Sequence, residues 1–427
     1  MSTLIILTLL IVLMLTGMPI SISLGLTVLS FLFAFTEVPI ESVALKLFTG
    51  IEKFEIMAIP FFIVAGNFLT HGGVARRMIA FATSLVGHFY GGLGLSGVVA
   101  CALFAAISGS SPATVVAIGS ILLPAMVKAG YPMKFGAGVV TVSGGLGILI
   151  PPSIAMIVYA VSTNTSIGAL FMAGVVPGLF LAFLLGVTTW YIARKNKYPR
   201  QPKATWGERF KALREAFWGV LLVFIVMGGI YSGVFTPTEA AAVAAVYAFV
   251  VAIFVYKDMG LRDVPKVLIS SASMSAMLLY IITNAALFSF LMSYQHVPEQ
   301  MANWMLAQGL GPIAFLLIAN ILLLAAGNFM EPTSIILILA PILFPIAIKL
   351  GIDPIHFGII MTVNMEIGMC HPPVGLNLYV ASGITKMGIT ELTVAVWPWL
   401  LTMLVFLVLV TYWSPLTLWF PRWLGMM

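Results

Sequence analysis

The chain has 427 residues, of which 61% are hydrophobic and only 8% are charged, and its mean hydropathy is +1.12. A water-soluble core cannot bury that much apolar surface, so the composition excludes a soluble globular protein and predicts a polytopic membrane protein. The net charge of +6 does not indicate nucleic-acid binding, because eight of the 20 Lys and Arg residues lie between Arg194 and Arg214, in what the positive-inside rule marks as a cytoplasmic loop.

The first half of the chain contains five apolar runs and one interrupted segment. No Lys or Arg precedes the first run and no small-residue cleavage site follows it, so we expect a retained span rather than a signal peptide. Gly92–Met126 holds two half-length helices folded at a polar tip, which predicts a re-entrant hairpin over 92–126. Between the runs, Glu37–Glu55 mixes charged and apolar residues and is either an interfacial helix or a surface loop. The predicted spans are 2–17, 19–36, 55–70, 134–161 and 168–193.

The second half contains the same kinds of predicted structural element as the first. A second re-entrant hairpin is predicted over 312–348, and Lys257–Lys266 is a second interfacial segment or surface loop. The basic loop 194–216 separates the halves, and specific binding of acidic lipids is its alternative role. The predicted spans are 217–235, 237–256, 273–294, 355–385 and 390–413.

The two halves carry the same interrupted pattern. SGSSPAT (108–114) and later GGLGILIPPS match GNFMEPTS (327–334) and later EIGMCHPPVG, so that Pro112 aligns with Pro332, and Pro151-Pro152 with Pro372-Pro373. The Pro-Pro pairs break the helices at 134–161 and 355–385. Paired Gly/Pro-interrupted segments in corresponding halves of a membrane protein indicate a transporter binding site. We therefore predict an all-α protein of two repeats, 1–193 and 217–427.

An odd number of spans in each half requires the two repeats to have opposite orientations in the membrane. With the basic loop inside, Arg76-Arg77 and the Lys128–Lys134 turn also fall inside, whereas their counterparts, His296–Gln300 and the 349–354 turn, fall outside and carry little positive charge. The charge distribution thus favours inverted-topology repeats independently of the sequence match.

Each helix break at membrane depth is a candidate cation site. Broken helices free backbone carbonyls that protein, water or a ligand must satisfy, and hard cations such as Na⁺ prefer oxygen ligands. Each hairpin tip faces one break, so the pattern predicts two quasi-equivalent Na⁺ sites. The predicted Na⁺-binding residues are Ser108, Gly109, Ser110, Gly145, Ile148 and Ile150 in the first half, and Gly327, Glu331, Gly368, Met369 and Cys370 in the second.

The helices that begin after each tip point their positive N-terminal ends toward one central space, which favours an anionic substrate there. Asn67 and Asn284, in equivalent spans, either reach the tips or bond across helices. The alternative for the whole set is that Gly, Ser and Pro only permit close helix packing. The predicted substrate-binding residues are Ser111, Thr114, Thr333, Ser334, Pro152, Pro373, Asn67 and Asn284.

Other polar residues give weaker signals. Glu366 is an acid in apolar surroundings, and we favour a structural role for it over cation or proton binding. His371 lacks neighbouring ligand-type residues, and no cofactor beyond the coupling ion Na⁺ is expected. The chain has no HExxH, GxGD or GxSxG motif, which disfavours an enzyme, and the dead-end tips disfavour a channel.

Several long motifs resemble those of the DctM-type large membrane subunit of TRAP transporters. They are GNFLTHGGVARR, SGSSPATVVAIGSILLPAM, LGILIPPS, YSGVFTPTEAAAVAAVYA, GNFMEPTS and EIGMCHPPVGLNLYV, and they cover essentially the whole chain. The resemblance implies Na⁺-driven uptake of organic acid anions across a bacterial inner membrane, C4-dicarboxylates being favoured over sialic acids.

The resemblance also implies partners and a mechanism. The partners are a periplasmic substrate-binding protein and a small four-span membrane subunit, and the mechanism is an elevator motion of both hairpins and broken helices against a frame. The alternative is a stand-alone ion-coupled anion carrier of similar inverted-repeat architecture.

Overall fold

The computed structural model describes residues 2–372 and 375–427, and within these ranges the regular structure is entirely helical. A 3₁₀ turn at Phe54–Met57 precedes the fourth helix. The helices of the first half are α1 (Ser2–Leu15), α2 (Ile20–Phe35), α3 (Ile40–Thr49), α4 (Ala58–His71), α5 (Val74–Val86), α6 (Gly92–Ser108), α7 (Ser111–Lys128), α8 (Met133–Ser143), α9 (Leu146–Leu149), α10 (Ile154–Thr163) and α11 (Ile167–Lys195).

The second half repeats this order, except that no separate helices correspond to α3 and α9 and that one short helix is added at its end. One π-helical turn, Val251–Val255, extends the second of its helices. These are α12 (Trp206–Tyr231), α13 (Pro237–Val250), α14 (Val264–Tyr294), α15 (Val297–Ala307), α16 (Pro312–Gly327), α17 (Pro332–Lys349), α18 (Pro354–Met369), α19 (Leu376–Thr385), α20 (Ile389–Tyr412) and α21 (Pro415–Trp423).

The helices are long and apolar enough for a multi-pass membrane protein. Among the described residues, nine helical segments meet the length and hydropathy needed to cross a bilayer, and α1, α2, α6 and α16 are shorter apolar helices. The hairpins predicted over 92–126 and 312–348 are present as α6–α7 and α16–α17. Outer helices such as α12 expose most of their apolar surface, as expected for helices that face lipid.

The two broken helices form the centre of the molecule. Residues 133–163, which form α8, α9 and α10, are apolar on all sides, and their most apolar stretch is entirely buried; α18 is buried from Ile355 to Met369. A helix that is hydrophobic all round belongs inside a protein. At the first break, the Ser153 hydroxyl donates to the Ile148 carbonyl (2.6 Å) and accepts from the Met156 amide, so one side chain satisfies backbone groups on both sides of the break.

Packing between the halves is reciprocal. The second hairpin helix of each half packs against the distal part of the other half's broken helix: α7 contacts α19, and α17 contacts α10. In the same way α8 contacts α20 while α18 contacts α11, and α4 contacts α13 while α14 contacts α2. Each half therefore completes the core of the other, as expected for two intertwined repeats.

Two predicted boundaries differ from the structure. The span predicted at 217–235 begins at Trp206, where Thr205 and Glu208 form a capping box, so part of the basic loop is helical. The interfacial segment Lys257–Lys266 contains only a 3₁₀ turn, Leu261–Asp263, and runs directly into α14. At α12 a polar first turn continues an apolar helix, which hydropathy alone does not detect, and at α14 the helix begins within the charged segment that precedes the apolar run. The first interfacial segment does contain a helix, α3, whose buried residue is Val43.

Among the described residues, the ion pairs between separate segments each join segments that the charge distribution places on the same side of the membrane. Asp258 accepts hydrogen bonds from Arg76 (3.1 Å) and Arg77, all predicted to be cytoplasmic. On the predicted outer side, the Lys53 ammonium donates to the Asn164 amide oxygen (2.6 Å). These contacts agree with the predicted inverted topology.

Replacement of Asp258 by Asn is expected to lower the melting temperature of the purified protein. The Arg77 side chain is only 17% exposed and lies 3.8 Å from the Tyr256 ring, so losing the carboxylate removes the counter-charge of a largely buried cation. A charge-assisted hydrogen bond of this kind contributes about 1.5–3 kcal/mol. Thermal unfolding followed by tryptophan fluorescence measures the effect.

The matched control is Glu391→Gln. Glu391 also pairs with a cation, Lys134, at 3.1 Å, but both side chains are exposed (44% and 61%). Exposed ion pairs contribute about 0–1 kcal/mol. Equal melting temperatures for the two variants would contradict a structural role for Asp258.

Candidate functional site

The first hairpin tip is a compact cluster of hydroxyl and carbonyl oxygens. Helix α6 ends at Ser108, Gly109 turns the chain with φ 59°, and α7 begins at Ser111. The Ser108 and Thr114 hydroxyls lie 2.9 Å apart, and Thr114 also donates to the Ser110 carbonyl at 2.9 Å. Because a positive φ favours glycine, Gly109 allows the tight turn that brings these oxygens together.

The first tip lies directly on the first break. A Cβ atom added at Gly147 would stand 2.7 Å from the Ser110 carbonyl oxygen and 2.9 Å from the Ser111 amide nitrogen. A Cβ atom at Gly109 would stand 2.9 Å from the carbonyl oxygen of Pro152. The tip and the break are therefore in backbone contact on both sides of the Pro151-Pro152 pair.

The second tip has a carboxylate in place of a serine. Glu331, which precedes α17 and aligns with Ser111, accepts hydrogen bonds from the hydroxyls of Thr333 and Ser334, the second at 2.8 Å. A carboxylate at this position interacts favourably with the N-terminal end of the helix. Oxygen atoms of three side chains thus converge at the second tip.

The second tip also contacts its own break through backbone. A Cβ atom at Gly368 would stand 2.7 Å from the Gly327 Cα atom. His371 strengthens the contact, because its Nδ1 atom lies 2.8 Å from the Asn328 side-chain oxygen. In each half, therefore, the equivalent glycine of the break, Gly147 or Gly368, is in backbone contact with its own hairpin, although the contacting hairpin residues are not equivalent.

Asn377 connects the two halves at the centre and was not identified from the sequence. Its side-chain amide donates to the Ser111 hydroxyl (2.7 Å) and the Thr141 carbonyl (3.3 Å), and lies 3.5 Å from the Cys370 sulfur. It thereby links the first tip to the second break. The available signal was an asparagine in the apolar segment Gly375–Val380, since a polar residue at membrane depth indicates a specific bond.

Glu366 lies at the contact between the two broken helices. It is fully buried, and within the described part of the chain neither carboxyl oxygen has a hydrogen-bond partner. A Cβ atom at Gly145 would stand 2.7 Å from its Cγ atom. Gly145 and Glu366 occupy the same place in the two repeats, six residues before each Pro-Pro pair. The acid of one repeat therefore packs on the glycine of the other.

The structure places the predicted asparagines away from the tips. The Asn67 amide donates to the Ser271 hydroxyl (2.7 Å) across the α4–α14 contact, and the Asn284 amide donates to the Tyr280 carbonyl (2.9 Å) of its own helix. The Asn67 bond crosses between helices, the second of the two predicted roles, whereas the Asn284 bond stays within its own helix and matches neither role. Gly66, beside Asn67, is the residue of α4 that approaches the first tip, at Ser108.

The other predicted site residues lie at the tips and breaks. Ser108, Ser111, Thr114, Thr333 and Ser334 are buried. The Ile148 carbonyl is engaged by Ser153, and the side chains of Ile148, Ile150, Met369 and Cys370 are buried beside the breaks. Pro373 lies outside the described residues. Nowhere in the described ranges do three His, Cys, Asp or Glu residues group as a transition-metal site would require.

The two tips can therefore hold cations and attract an anion. Each tip presents clustered oxygens of the kind that hard cations bind. Helices α7 and α17, both 18 residues long, begin at these tips with their N-terminal ends. The arrangement suits a small anion bound between cations.

Comparison with known proteins gives consistent matches over the whole chain. Residues 7–416 match the family model described as "Tripartite ATP-independent periplasmic transporter, DctM component". The chain is 70% identical to the C4-dicarboxylate TRAP transporter large permease protein DctM of Rhodobacter capsulatus, with 100% of both chains covered. It is 55% identical to the protein of the same name from Pseudomonas aeruginosa, with 95% of each chain covered.

A more distant relative and a solved structure match as well. The sialic acid TRAP transporter large permease protein SiaM of Vibrio cholerae is 37% identical, with 96% of each chain covered. The crystal structure of the Alcanivorax borkumensis YdaH transporter aligns with a TM-score of 0.63 at 17% identity, covering 88% of this chain and 90% of that one. At this identity the structural match supports the fold alone.

Proposed function

The chain belongs to the family of the DctM component of tripartite ATP-independent periplasmic transporters, and from this premise we propose that it is the large membrane subunit of a Na⁺-coupled importer of C4-dicarboxylates in a bacterial inner membrane. The observation that carries the proposal is the tip-on-break contact present in both halves, at Ser110 on Gly147 and at Gly327 on Gly368. Paired broken helices of this kind are the usual location of transporter substrate and ion sites.

The substrate class is supported by the relatives. The Rhodobacter capsulatus and Pseudomonas aeruginosa proteins carry C4-dicarboxylate in their names, whereas the sialic acid relative is considerably less similar to this chain. Helices α7 and α17 also begin at the tips with their positive N-terminal ends, which favours a substrate with more than one negative charge. We therefore assign C4-dicarboxylates ahead of sialic acids as the substrate.

Na⁺ coupling is supported by the oxygen clusters at the tips. Ser108, Ser110 and Thr114 supply hydroxyl and carbonyl oxygens in the first half, and Glu331, with Thr333 and Ser334, supplies them in the second. Cations at both tips would neutralise part of the substrate's charge, which makes binding of ion and anion mutually favourable.

An elevator motion is supported by the way the core is built. Each hairpin is in backbone contact with its broken helix, and α7–α19 and α10–α17 contacts join the halves, so these elements can move as one block. The frame would consist of α2, α4, α13 and α14, which pack on one another. A small four-span subunit and a periplasmic binding protein are the proposed partners, since the family is tripartite.

Reconstitution in liposomes tests the function. With the small subunit, the binding protein and an inward Na⁺ gradient, labelled succinate is expected to accumulate inside. Omission of the binding protein, or replacement of external Na⁺ by K⁺, is expected to reduce uptake to the level of empty liposomes. Undiminished uptake without the binding protein would instead favour the stand-alone carrier. Labelled sialic acid, added at the same concentration, is expected to compete weakly.

A further inference from the structure

A polar cavity lies apart from the tips, on the predicted outer side of the protein. It has a volume of about 370 Å³ and lies between α3, α10, α14 and α17. Its wall includes two lysines, Lys46 and Lys53, with Asn164 and the hydroxyls of Ser289 and Ser293. No carboxylate is among its lining residues in the described part of the chain. The cavity thus offers cations and hydrogen-bond donors without a fixed anion.

Lys53 is held in place at the edge of this cavity. Its ammonium donates to the Val161 carbonyl (2.7 Å) and the Asn164 side-chain oxygen (2.6 Å), which leaves one of its three donors for a ligand. Burial lowers the pKa of Lys53, with the nearby Glu55 acting in the opposite direction. An ammonium group that has lost part of its hydration interacts more strongly with an anionic partner than a fully hydrated one does.

Lys46 provides the second positive charge from α3. Its side chain is exposed, and its ammonium lies 5.5 Å from the centre of the Phe290 ring. None of the ion pairs formed by described residues includes Lys46 or Lys53. Glu52 and Glu55, the acids nearest in sequence, are exposed and lie outside the cavity wall. Two cations therefore face one small concave space without a carboxylate partner.

We propose that this cavity is an outer subsite for the organic dianion, in which Lys46 and Lys53 each bind one carboxylate before the substrate reaches the tips. The inference rests on the proposed transport function. A small anion fits better than a protein surface, because the cavity is recessed between four elements and one of its lysines is partly buried. Ammonium–carboxylate bonds to both ends of a dianion would select for substrates with two carboxylates.

The position of the subsite couples it to the proposed motion. Its lysines come from α3 and the segment before α4, whereas Leu337 and Pro341 of α17 and Ser162 of α10 line the other side. The first group lies with the frame, and the second belongs to the block of hairpins and broken helices. A displacement of the block relative to the frame therefore changes the shape of the subsite. The dianion then binds there in only one of the two end states of the elevator motion.

Equilibrium binding of labelled succinate to the large and small subunits in nanodiscs, without the binding protein, tests the subsite. Lys46→Gln and Lys53→Gln are each expected to weaken succinate binding about tenfold, since each removes one charge-assisted contact. Lys46→Arg is expected to restore most of the affinity. The control Lys349→Gln, an exposed lysine on the same predicted side, is expected to bind as the wild type does. The Lys46 side chain makes no hydrogen bond to a described residue, so the Lys46→Gln variant tests the subsite even if Lys53→Gln fails to fold.

Unchanged binding in Lys46→Gln would overturn the proposal. A second result would also overturn it: succinate binding in nanodiscs that is unchanged by the substitution, together with slower uptake in the liposome assay that contains the binding protein. The lysines would then contact the binding protein and not the substrate. The Gly147→Ala variant distinguishes a failure of the subsite proposal from a failure of the proposed transport function. This variant is expected to lose succinate uptake while it retains succinate binding at the outer subsite. Wild-type protein that binds succinate in nanodiscs but fails to transport it in the liposome assay would contradict the transport function, and with it the role of the subsite in loading.

Discussion

Gly147→Ala and Gly368→Ala are each expected to abolish Na⁺-driven succinate uptake while the protein still inserts into the membrane. An added Cβ atom would stand 2.7 Å from the Ser110 carbonyl oxygen in the first case and 2.7 Å from the Gly327 Cα atom in the second. Both partners are backbone atoms, which cannot rotate away as a side chain can. The hairpin tip must therefore move away from the break. The oxygen atoms of the tip and those of the break would then no longer face the same ion.

The expected size follows from the cost of overpacking. Forcing one methyl group into a close-packed contact costs about 1–3 kcal/mol, which corresponds to roughly a 5- to 150-fold change in the population of the native arrangement. Initial rates of uptake into liposomes, normalised to the amount of inserted protein, give the measurement. The positions of the tip oxygens and of the helix N-termini both depend on this contact. We therefore expect the uptake rate of each variant to fall by an amount near the upper end of this range, about 150-fold.

Gly383→Ala is the matched control for both glycines. Gly383 lies in α19, the distal part of the second broken helix, and has nothing within 4 Å of an added Cβ atom. Its variant is expected to transport at the wild-type rate. Wild-type uptake by Gly147→Ala or by Gly368→Ala would show that the tip need not touch the break, and the proposed ion sites would have to be abandoned.

Glu331→Gln is expected to raise the Na⁺ concentration needed for half-maximal uptake by more than about tenfold. The Glu331 carboxylate accepts hydrogen bonds from the Thr333 and Ser334 hydroxyls at the start of α17, and it brings a full negative charge to the second tip. A neutral amide keeps the shape but loses the charge, and hydrogen bonds to a charged group contribute about 1.5–3 kcal/mol each. The Na⁺ dependence of initial uptake rates gives the shift directly.

The control for this variant is Glu299→Gln. Glu299 is an acid of the same half, but its side chain is 62% exposed on α15 and pairs only with His296. Its removal is expected to leave the Na⁺ dependence unchanged. If Glu331→Gln transported with unaltered Na⁺ dependence, the carboxylate would serve only to bond the neighbouring hydroxyls at the start of α17, and the second cation site would lack its charged ligand.

The tips and breaks could be predicted from sequence because their signals are local. A Pro-Pro pair or a Gly-rich stretch weakens a helix locally, and Ser or Thr beside it leaves hydroxyls at the interruption, whereas single prolines such as Pro124 and Pro345 stay inside helices. The hairpins α6–α7 and α16–α17 consequently end within two residues of the predicted limits. The starts of α12 and α14 lie earlier than predicted, because α12 begins with a polar turn and α14 begins within the charged segment Lys257–Lys266.

The contacts across the molecule could not be predicted in the same way. Asn377 bonds to Ser111, which lies in the other half of the chain, and no local pattern in the sequence connects the two residues. The outer cavity depends on four separate elements that meet only in the folded protein. Such contacts depend on which helix faces which, and hydropathy does not contain that information.

The packing of Glu366 on Gly145 makes the two repeats non-interchangeable. The same place in each repeat must be small in one half and large in the other, because the Glu366 side chain fills the space beside Gly145. A hybrid chain with two copies of the first repeat would leave a void there, and one with two copies of the second would force two carboxyl groups into contact. A gene duplication that began with identical halves could reach this arrangement only after the halves had diverged at this position.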